Sequence, residues 1–412
     1  MRILVFGGSG KIGRAAAWDL ARDPEVREVA LVGRHLDALG QARSWIGGKK
    51  VTLHAAEADN RDAMRRLMEG YDAGVLALPD RRSSYRLAES AIGAGLPAVD
   101  VLEEYHRRPD AYEVEGLEVP PGMSIEAYGE RLHEEARAQG IPFLDGLGLA
   151  PGLTNVVLGQ ALRELDEPEM AVARVGGIPA KDAAARHPLR YMITWAFEHV
   201  LREYMIQVGV VRDGRLVEVE AGSDRERFRF RRFGRDEELE CAVTPGMPSF
   251  PYTRPGLREF SEKTVRWPGH WQAVETLKEC GLLSLEPVAV DGCAVVPRRF
   301  LSKLLTPRLQ PGPGETDVCV MYTTAVGRKD GRRVAVEHFL WDEADPAEGL
   351  SAMMRTTAFP AAIGARLLAR RQIEETGIVA PEDAITGPLY PKFLAELERR
   401  GIRIEQVTTH LD

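Results

Sequence analysis

The chain has 412 residues, 44% hydrophobic and 28% charged, with 54 Lys and Arg against 62 Asp and Glu for a formal net charge of −8. That length exceeds one ordinary core and predicts two or three domains, and the composition is that of a globular protein, not a disordered or fibrous one. The acidic balance disfavours a nucleic-acid partner, which needs a concentrated basic face, and no apolar run approaches the roughly 20 residues that span a bilayer. With no signal peptide ahead of a first strand at Arg2, the cytoplasm is the expected location. Cys241, Cys280, Cys293 and Cys319 lie far apart and form no C-x-x-C pair, so they are expected as buried thiols.

In sequence order, short β-rich runs alternate with helical stretches over the first hundred residues, as a doubly wound parallel sheet requires. Strands are predicted over residues 3–6, 28–32, 51–54, 73–77 and 98–101, with helices over 11–22, 61–68 and 84–94. Residues 103–123, rich in Pro, Gly and charge, read as a loop or insertion. A helix over 125–139 and a strand over 141–144 lead to the turn Gly146 to Gly152 and another helix. From about 172 to 326 the pattern favours strands, including alternation over 215–220 and 227–231, and predicts an α+β domain with a mainly antiparallel sheet. The expected division is a dinucleotide-binding domain over 1–147, completed by a returning Ala-rich helix over 350–371, then a substrate-binding and dimerisation domain over 148–349 and a C-terminal segment over 372–412. The fold class is therefore α/β, a Rossmann sheet with a second α+β domain.

Gly8-Ser9-Gly10-Lys11-Ile12-Gly13 fits G-x-G-x-x-G directly after a predicted strand and at the start of a predicted helix. Glycines there allow a tight turn and close approach to a pyrophosphate, and the helix offers free N–H groups at the positive end of its dipole. At the end of the second strand Gly33 stands where an NAD-specific domain usually places a carboxylate, and Arg34 can pair with a 2′-phosphate instead or be an ordinary surface arginine; NADP is favoured and NAD is possible. Asp59 can accept from the adenine amino group or cap the helix near Asn60. Leu78 and Pro79, after the fourth strand, complete the expected cofactor site.

Further motifs run the length of the sequence: Gly148-Leu149-Ala150-Pro151-Gly152-Leu153-Thr154-Asn155, Val175-Gly176-Gly177-Ile178-Pro179, Pro188-Leu189-Arg190-Tyr191 with Trp195, Lys263-Thr264-Val265-Arg266-Trp267-Pro268-Gly269-His270, and Arg355-Thr356-Thr357-Ala358-Phe359-Pro360-Ala361-Ala362. With the glycine loop they make residues 1–404 resemble the saccharopine dehydrogenase family, which includes saccharopine reductases, lysine 6-dehydrogenases and carboxynorspermidine dehydrogenases. Saccharopine reductases usually carry Asp before the Pro-Gly. This sequence has Ala150 there and is similar to the lysine 6-dehydrogenase branch. The insertion after Asp100 and the pair Met353-Met354, in place of the usual Met-Ala, depart from the family pattern. The resemblance implies a homodimeric NAD(P)-dependent amino-acid dehydrogenase acting on a C–N bond of the substrate's side chain, with L-lysine oxidised to the 6-semialdehyde as the first substrate. Saccharopine, another opine or carboxynorspermidine is the alternative.

Against that expectation the candidate residues divide. Pro151 can start a helix whose Gly152 and Leu153 amides face a substrate carboxylate, or that helix start simply packs. Gly176 and Gly177 can let the backbone pass close to substrate and nicotinamide, or they are the paired glycines of an ordinary tight turn. Arg266 is the preferred carboxylate anchor; His270, four residues on, can help clamp the carboxylate or be a satisfied, partly buried histidine, and Trp267 can wall the site. Tyr191 and Trp195 can share a helix face, which fits core packing as well as a site. Glu203 can bind the ammonium or be an exposed helix acid. Lysine's amine must lose a proton before hydride leaves, and its reference pKa is about 10.4. Asp100, at the end of the fifth strand, is the candidate to accept or relay that proton, or it caps the following turn.

Rival classes are weaker. A non-catalytic NADP-sensing Rossmann protein needs no second large domain. No tyrosine has Lys four positions later, as a short-chain dehydrogenase requires, and no H-E-x-x-H or similar ligand cluster points to a metal.

Overall fold

The computed structural model describes residues 1–113 and 117–411, so the centre of the 103–123 segment lies outside the described residues. The protein forms two compact units, one of Met1–Gln160, Met247–Arg254 and Met354–Ile402, the other of Ala161–Gly246, Pro255–Met353 and Arg403–Asp412.

The first unit is built on β1 (Arg2–Phe6), β2 (Glu28–Gly33), β3 (Val51–Ala55), β4 (Ala73–Leu76), β5 (Ala98–Asp100) and β6 (Pro142–Leu144). With the strand Gly377–Val379 they form a seven-stranded parallel sheet in the order Gly377–Val379, β6, β5, β4, β1, β2, β3. Ile3, Leu4 and Val5 are fully buried, because helices on both faces of a parallel sheet leave its central strands no solvent side. The strand order reverses between β1 and β4, which opens the crevice where such sheets take ligands.

The helix Ala352–Ala369 ends in this unit and packs on the sheet through Gly364, where a Cβ would lie 2.6 Å from Leu147 and 3.2 Å from Leu144. Beyond it, Gly377–Val379 pairs with β6, and only Glu405–His410 leaves for the second sheet. The helix Leu389–Arg399 is tied down by charge: Glu396 pairs with Arg366 and Arg400, Arg366 also with Asp23, and Arg400 with Asp19 at 2.6 Å.

The second unit holds β7 (Glu167–Pro179), β8 (Gln207–Arg212), β9 (Arg215–Glu220), β10 (Glu226–Phe230), β11 (Glu237–Val243), β12 (Glu259–Arg266), β15 (Asp317–Lys329) and β16 (Arg332–Glu343), with β13 (Val288–Val290) and β14 (Cys293–Val295) as a separate ribbon. Its nine-stranded sheet runs β10, β11, β12, β7, β15, β16, Glu405–His410, with β8 and β9 attached at β12. The β12–β7 pairing is parallel and the other described pairings are antiparallel. Alternation sends Val265 into a cluster with Trp267, Ile178, Val318, Val320 and Phe339, and its neighbour Arg266 to the opposite face. Of the four cysteines only Cys241 and Cys319 are buried; Cys280 and Cys293, at a helix end and on the ribbon, are exposed, which corrects the expectation of four buried thiols. Among the described residues, no helix is long and apolar enough to cross a membrane.

Burial opposes the charge of Glu396, but Arg366 and Arg400 outweigh it and hold its carboxyl at about 2, below the ordinary 4.5. A depressed carboxyl contributes stability above its unfolded value and loses it as pH falls through the folded one. Glu396→Gln is expected to cost about 2 kcal/mol in urea unfolding at pH 7. The difference from the parent should shrink below about pH 4.5 and vanish towards pH 2.

Candidate functional site

The glycine loop joins β1 to the helix Lys11–Arg22. A Cβ on Gly13 would lie 2.3 Å from the Gly7 carbonyl oxygen, so only glycine lets the helix start this close to the strand. Gly8 and Gly10 spend their own amides inside the turn, on Val32 O at 3.2 Å and Gly7 O at 2.9 Å. The first helical bond runs from Arg14 N to Gly10 O, so the amides of Lys11, Ile12 and Gly13 precede it, and Gly10 has no side-chain oxygen with which to cap them. Those three amides, at the positive end of a twelve-residue helix, fit a pyrophosphate. A Cβ on Gly33 would come within 3.8 Å of Ser9 Oγ, which places the end of β2 beside the loop and leaves Arg34 exposed next to it. Leu78 lies against Gly7 on the other side, with Pro79 exposed beyond. The residues present therefore fit a dinucleotide. Asp59 neither caps the helix nor stands free: Asn60 caps it, accepting from Ala63 N at 3.0 Å, and Asp59 pairs with Arg86.

At the end of β5, Asp100 is 1% exposed. Its Oδ1 accepts from Leu102 N at 3.1 Å and its Oδ2 from Ser84 Oγ at 2.9 Å. The bond to Leu102 is the turn-capping role, and Ser84 adds a second partner. His106 and Asp145, also enclosed, complete the group, with His106 Nδ1 2.7 Å from Asp145. Burial raises the Asp100 carboxyl to about 7, with Asp145 adding to the rise and His106, Ser84 and Leu102 opposing it. Burial also works against a charged His106, but the charge and hydrogen bond of Asp145 prevail and push it up to about 9. The signal for His106 was weak, since it lies in an irregular segment with no periodicity to mark which side chains turn inward.

In the second unit Arg266 ends β12 and is 3% exposed. Its guanidinium donates to Tyr204 Oη at 3.2 and 3.3 Å and to the carbonyl oxygens of Val265 at 3.0 Å and Gly177 at 3.5 Å, and it lies 5.2 Å from the centre of the Tyr191 ring. Among the described residues no carboxylate forms an ion pair with it. His270 does not clamp a carboxylate and takes the other role open to it, that of a satisfied buried histidine. Its Nδ1 meets Leu189 O and its Nε2 meets Tyr204 Oη, each at 2.9 Å, so it donates from Nδ1 and accepts from Tyr204. Burial and Arg266 lower it to about 3, which leaves a neutral ring with both nitrogens engaged and no means to clamp a carboxylate. Tyr204, absent from the expected site, thus orients Arg266.

Five further residues or pairs depart from what was expected of them. Tyr191 and Trp195 share no helix face, since the helix begins only at Phe197, but both take the core-packing role: Tyr191 is buried in a cluster with Phe197, Val200 and Trp271, and Trp195 packs against that cluster while lining a recess of about 430 Å³ with Phe197, Lys303 and Gln310. Glu203 is not an exposed acid but 2% exposed, with Oε1 3.4 Å from His199 Nε2. The amide of Gly152 donates to Asn155 Oδ1 at 3.0 Å and that of Leu153 to Gly148 O at 2.8 Å, so neither is free for a substrate carboxylate. At Gly177 the room is taken by protein: a Cβ would lie 2.2 Å from the Met353 methyl, and one on Gly176 would lie 2.5 Å from Val265 O and 3.3 Å from Arg266. Trp267, expected as a wall, instead donates to Pro179 O at 2.8 Å in the cluster on the opposite face.

Residues 3–144 match the Saccharopine dehydrogenase NADP binding domain and residues 148–402 the Saccharopine dehydrogenase C-terminal domain. A carboxyaminopropylagmatine dehydrogenase of Synechocystis is 23% identical over 99% of this protein and 98% of its own length. Mitochondrial alpha-aminoadipic semialdehyde synthase of Bos taurus is 22% identical over 65% of this protein but 36% of its own length. The apo saccharopine dehydrogenase (L-Glu forming) of Saccharomyces cerevisiae has the same fold, with a TM-score of 0.76 at 18% identity over 99% of each protein.

Gly13→Ala forces Cβ against the Gly7 carbonyl and is expected to weaken NADPH binding at least ten-fold, about 1.4 kcal/mol, in a fluorescence titration. Gly40→Ala, where a Cβ meets nothing within 4 Å, should leave the affinity unchanged.

Proposed function

The protein belongs to the saccharopine dehydrogenase family of NAD(P)-dependent oxidoreductases, and from that premise we propose that it is an NADP-preferring dehydrogenase of a carboxylate-bearing amine, acting on a C–N bond. The observation that carries this reading is the buried Arg266 guanidinium, hydrogen-bonded to neutral oxygens and in no ion pair among the described residues, with the Glu203 carboxylate near enough to act on its charge but not to pair with it. A buried cation is costly unless an anion meets it, and its planar fork suits a carboxylate. Tyr204, fixed by neutral His270, holds that fork in place.

When bound, the nicotinamide accepts or supplies the hydride. In the oxidative direction the amine nitrogen loses a proton, hydride leaves its carbon, and water adds to the imine to give a carbonyl compound and a free amine. Asp100 is the group we assign to the proton. Its carboxyl, held near neutrality, is suited to general base work, and it stands at the C-terminal edge of the parallel sheet. Glu203 and His199 put a buried acid in the second unit, suited to an ammonium.

Two substrate classes satisfy a carboxylate anchor. A secondary amine bearing a carboxyalkyl arm ranks first, supported by the end-to-end match to a carboxyaminopropylagmatine dehydrogenase. L-Lysine, its 6-semialdehyde cyclising after release, ranks second, supported by Ala150 where saccharopine reductases usually carry Asp. NADP is preferred over NAD because no acid stands at Gly33 and Arg34 is exposed beside the loop.

The test follows absorbance of the reduced nicotinamide at alkaline pH with NADP or NAD, across carboxyalkyl amines, saccharopine and L-lysine. Turnover is expected for a carboxylate-bearing amine, with Arg266→Gln raising KM on the order of a hundred-fold, as loss of a buried charge partner costs about 3 kcal/mol. Equal use of the decarboxylated amine by both proteins counts against the anchor, and tight NADP binding without turnover of any amine points to a sensing protein. Arg34→Ala should raise KM for NADP about ten-fold and leave that for NAD unchanged, in keeping with one lost charge-assisted pair of about 1.5 kcal/mol.

A further inference from the structure

His106 and Asp145 have no part in the chemistry above, yet both are fully enclosed beside Asp100. Asp145 grips His106 twice, accepting from its backbone amide and facing its Nδ1, each at 2.7 Å. Ser84 Oγ lies 2.9 Å from Asp100 Oδ2 and 3.3 Å from His106 Nε2. One hydrogen-bonded line therefore runs from the end of β6, through an irregular segment and the first turn of the helix Arg81–Ala94, to the end of β5. The rings of Tyr85 and Phe143 close on the imidazole at 4.3 and 5.4 Å. A buried charged cluster of this kind adds little stability over apolar packing, which is weak ground for a merely structural role.

We propose that His106, clamped by Asp145 and bridged by Ser84, is a positioning residue that keeps the Asp100 carboxylate ionised and ready for a proton. The proposal rests on the dehydrogenase reading, in which Asp100 takes the proton of the amine. Its sign follows from the groups that face it. Burial drives Asp100 towards the neutral acid and Asp145 pushes the same way, whereas the charge of His106 and the Ser84 hydroxyl pull it back. Glu104 adds to the potential that keeps His106 charged, and is itself paired with Arg81. Tyr85 and Tyr105 are both raised above the ordinary phenol and stay neutral beside it. The donor atoms of Asp100, His106 and Asp145 lie within 4.8 Å of one another, close enough for a metal, but His106 Nδ1 is already spent on Asp145 and its Nε2 faces Ser84.

The experiment is the pH dependence of kcat/KM in the amine-oxidising direction for the full-length protein, its His106→Gln and Ser84→Ala variants, and elemental analysis of the purified parent for zinc. His106→Gln removes the positive charge and is expected to move the acid limb upward by about one pH unit or more, with plateau activity within several-fold of the parent. Ser84→Ala removes one oxygen and no charge, should move the limb in the same direction, and serves alone where His106→Gln does not fold. Limbs that stay in place while rates fall evenly at every pH overturn the proposal, as does stoichiometric zinc in the parent. Failure of the parent to oxidise any amine removes the dehydrogenase reading and this proposal with it; an active parent with unmoved limbs removes this proposal alone.

Discussion

Every strand of the first sheet runs the same way, and the chemistry of that unit depends on this. Parallel strands release their backbone at one edge, so residues remote in sequence collect there without long-range contrivance. Gly7 to Gly13 leave β1, Arg34 leaves β2, Leu78 follows β4, Asp100 ends β5 and Asp145 follows β6. The reversal of strand order beside β1 opens the space in which a dinucleotide can lie, and the helix behind it aims its first amides inward. A single reversed strand would carry its terminal residues to the far edge.

The two units handle buried charge in opposite ways. The carboxylates of Asp100 and Asp145 are answered inside the protein by His106 and Ser84, so that group is closed. Arg266 feels the charge of Glu203 without pairing with it, and its hydrogen bonds go to neutral oxygens, of a phenol and two carbonyls. Those satisfy its directions but not its charge. The closed group suits storage of a proton; the open one suits capture of an anion.

What the sequence made legible follows the same physics. The strands of the first sheet are short apolar runs between turn signals, and the glycine loop sits where a strand meets a helix, so both could be placed from residue order alone. The strand Gly377–Val379 could not, because three residues carry no period and its partner is settled only by the fold. His106 was hidden because irregular backbone has no face. Glu203 reads as a solvent acid at the end of a short helix, and nothing local says that the surface it meets is protein. The Gly152 amide looked available because a helix start has free donors; that Asn155 would turn back to take it depends on one rotamer.

Gly177 and Met353 have a consequence of another kind. The methyl of Met353 stands where the side chain of residue 177 would begin, so the two positions are one volume shared between a strand and the start of a helix. Neither can be redesigned alone: a larger residue at 177 needs a shorter one at 353, and a shorter one at 353 with Gly177 kept leaves a void beside the Arg266 guanidinium. A library that varies the two positions singly would then sample mostly damaged proteins, and one that varies them together could keep the shared volume filled.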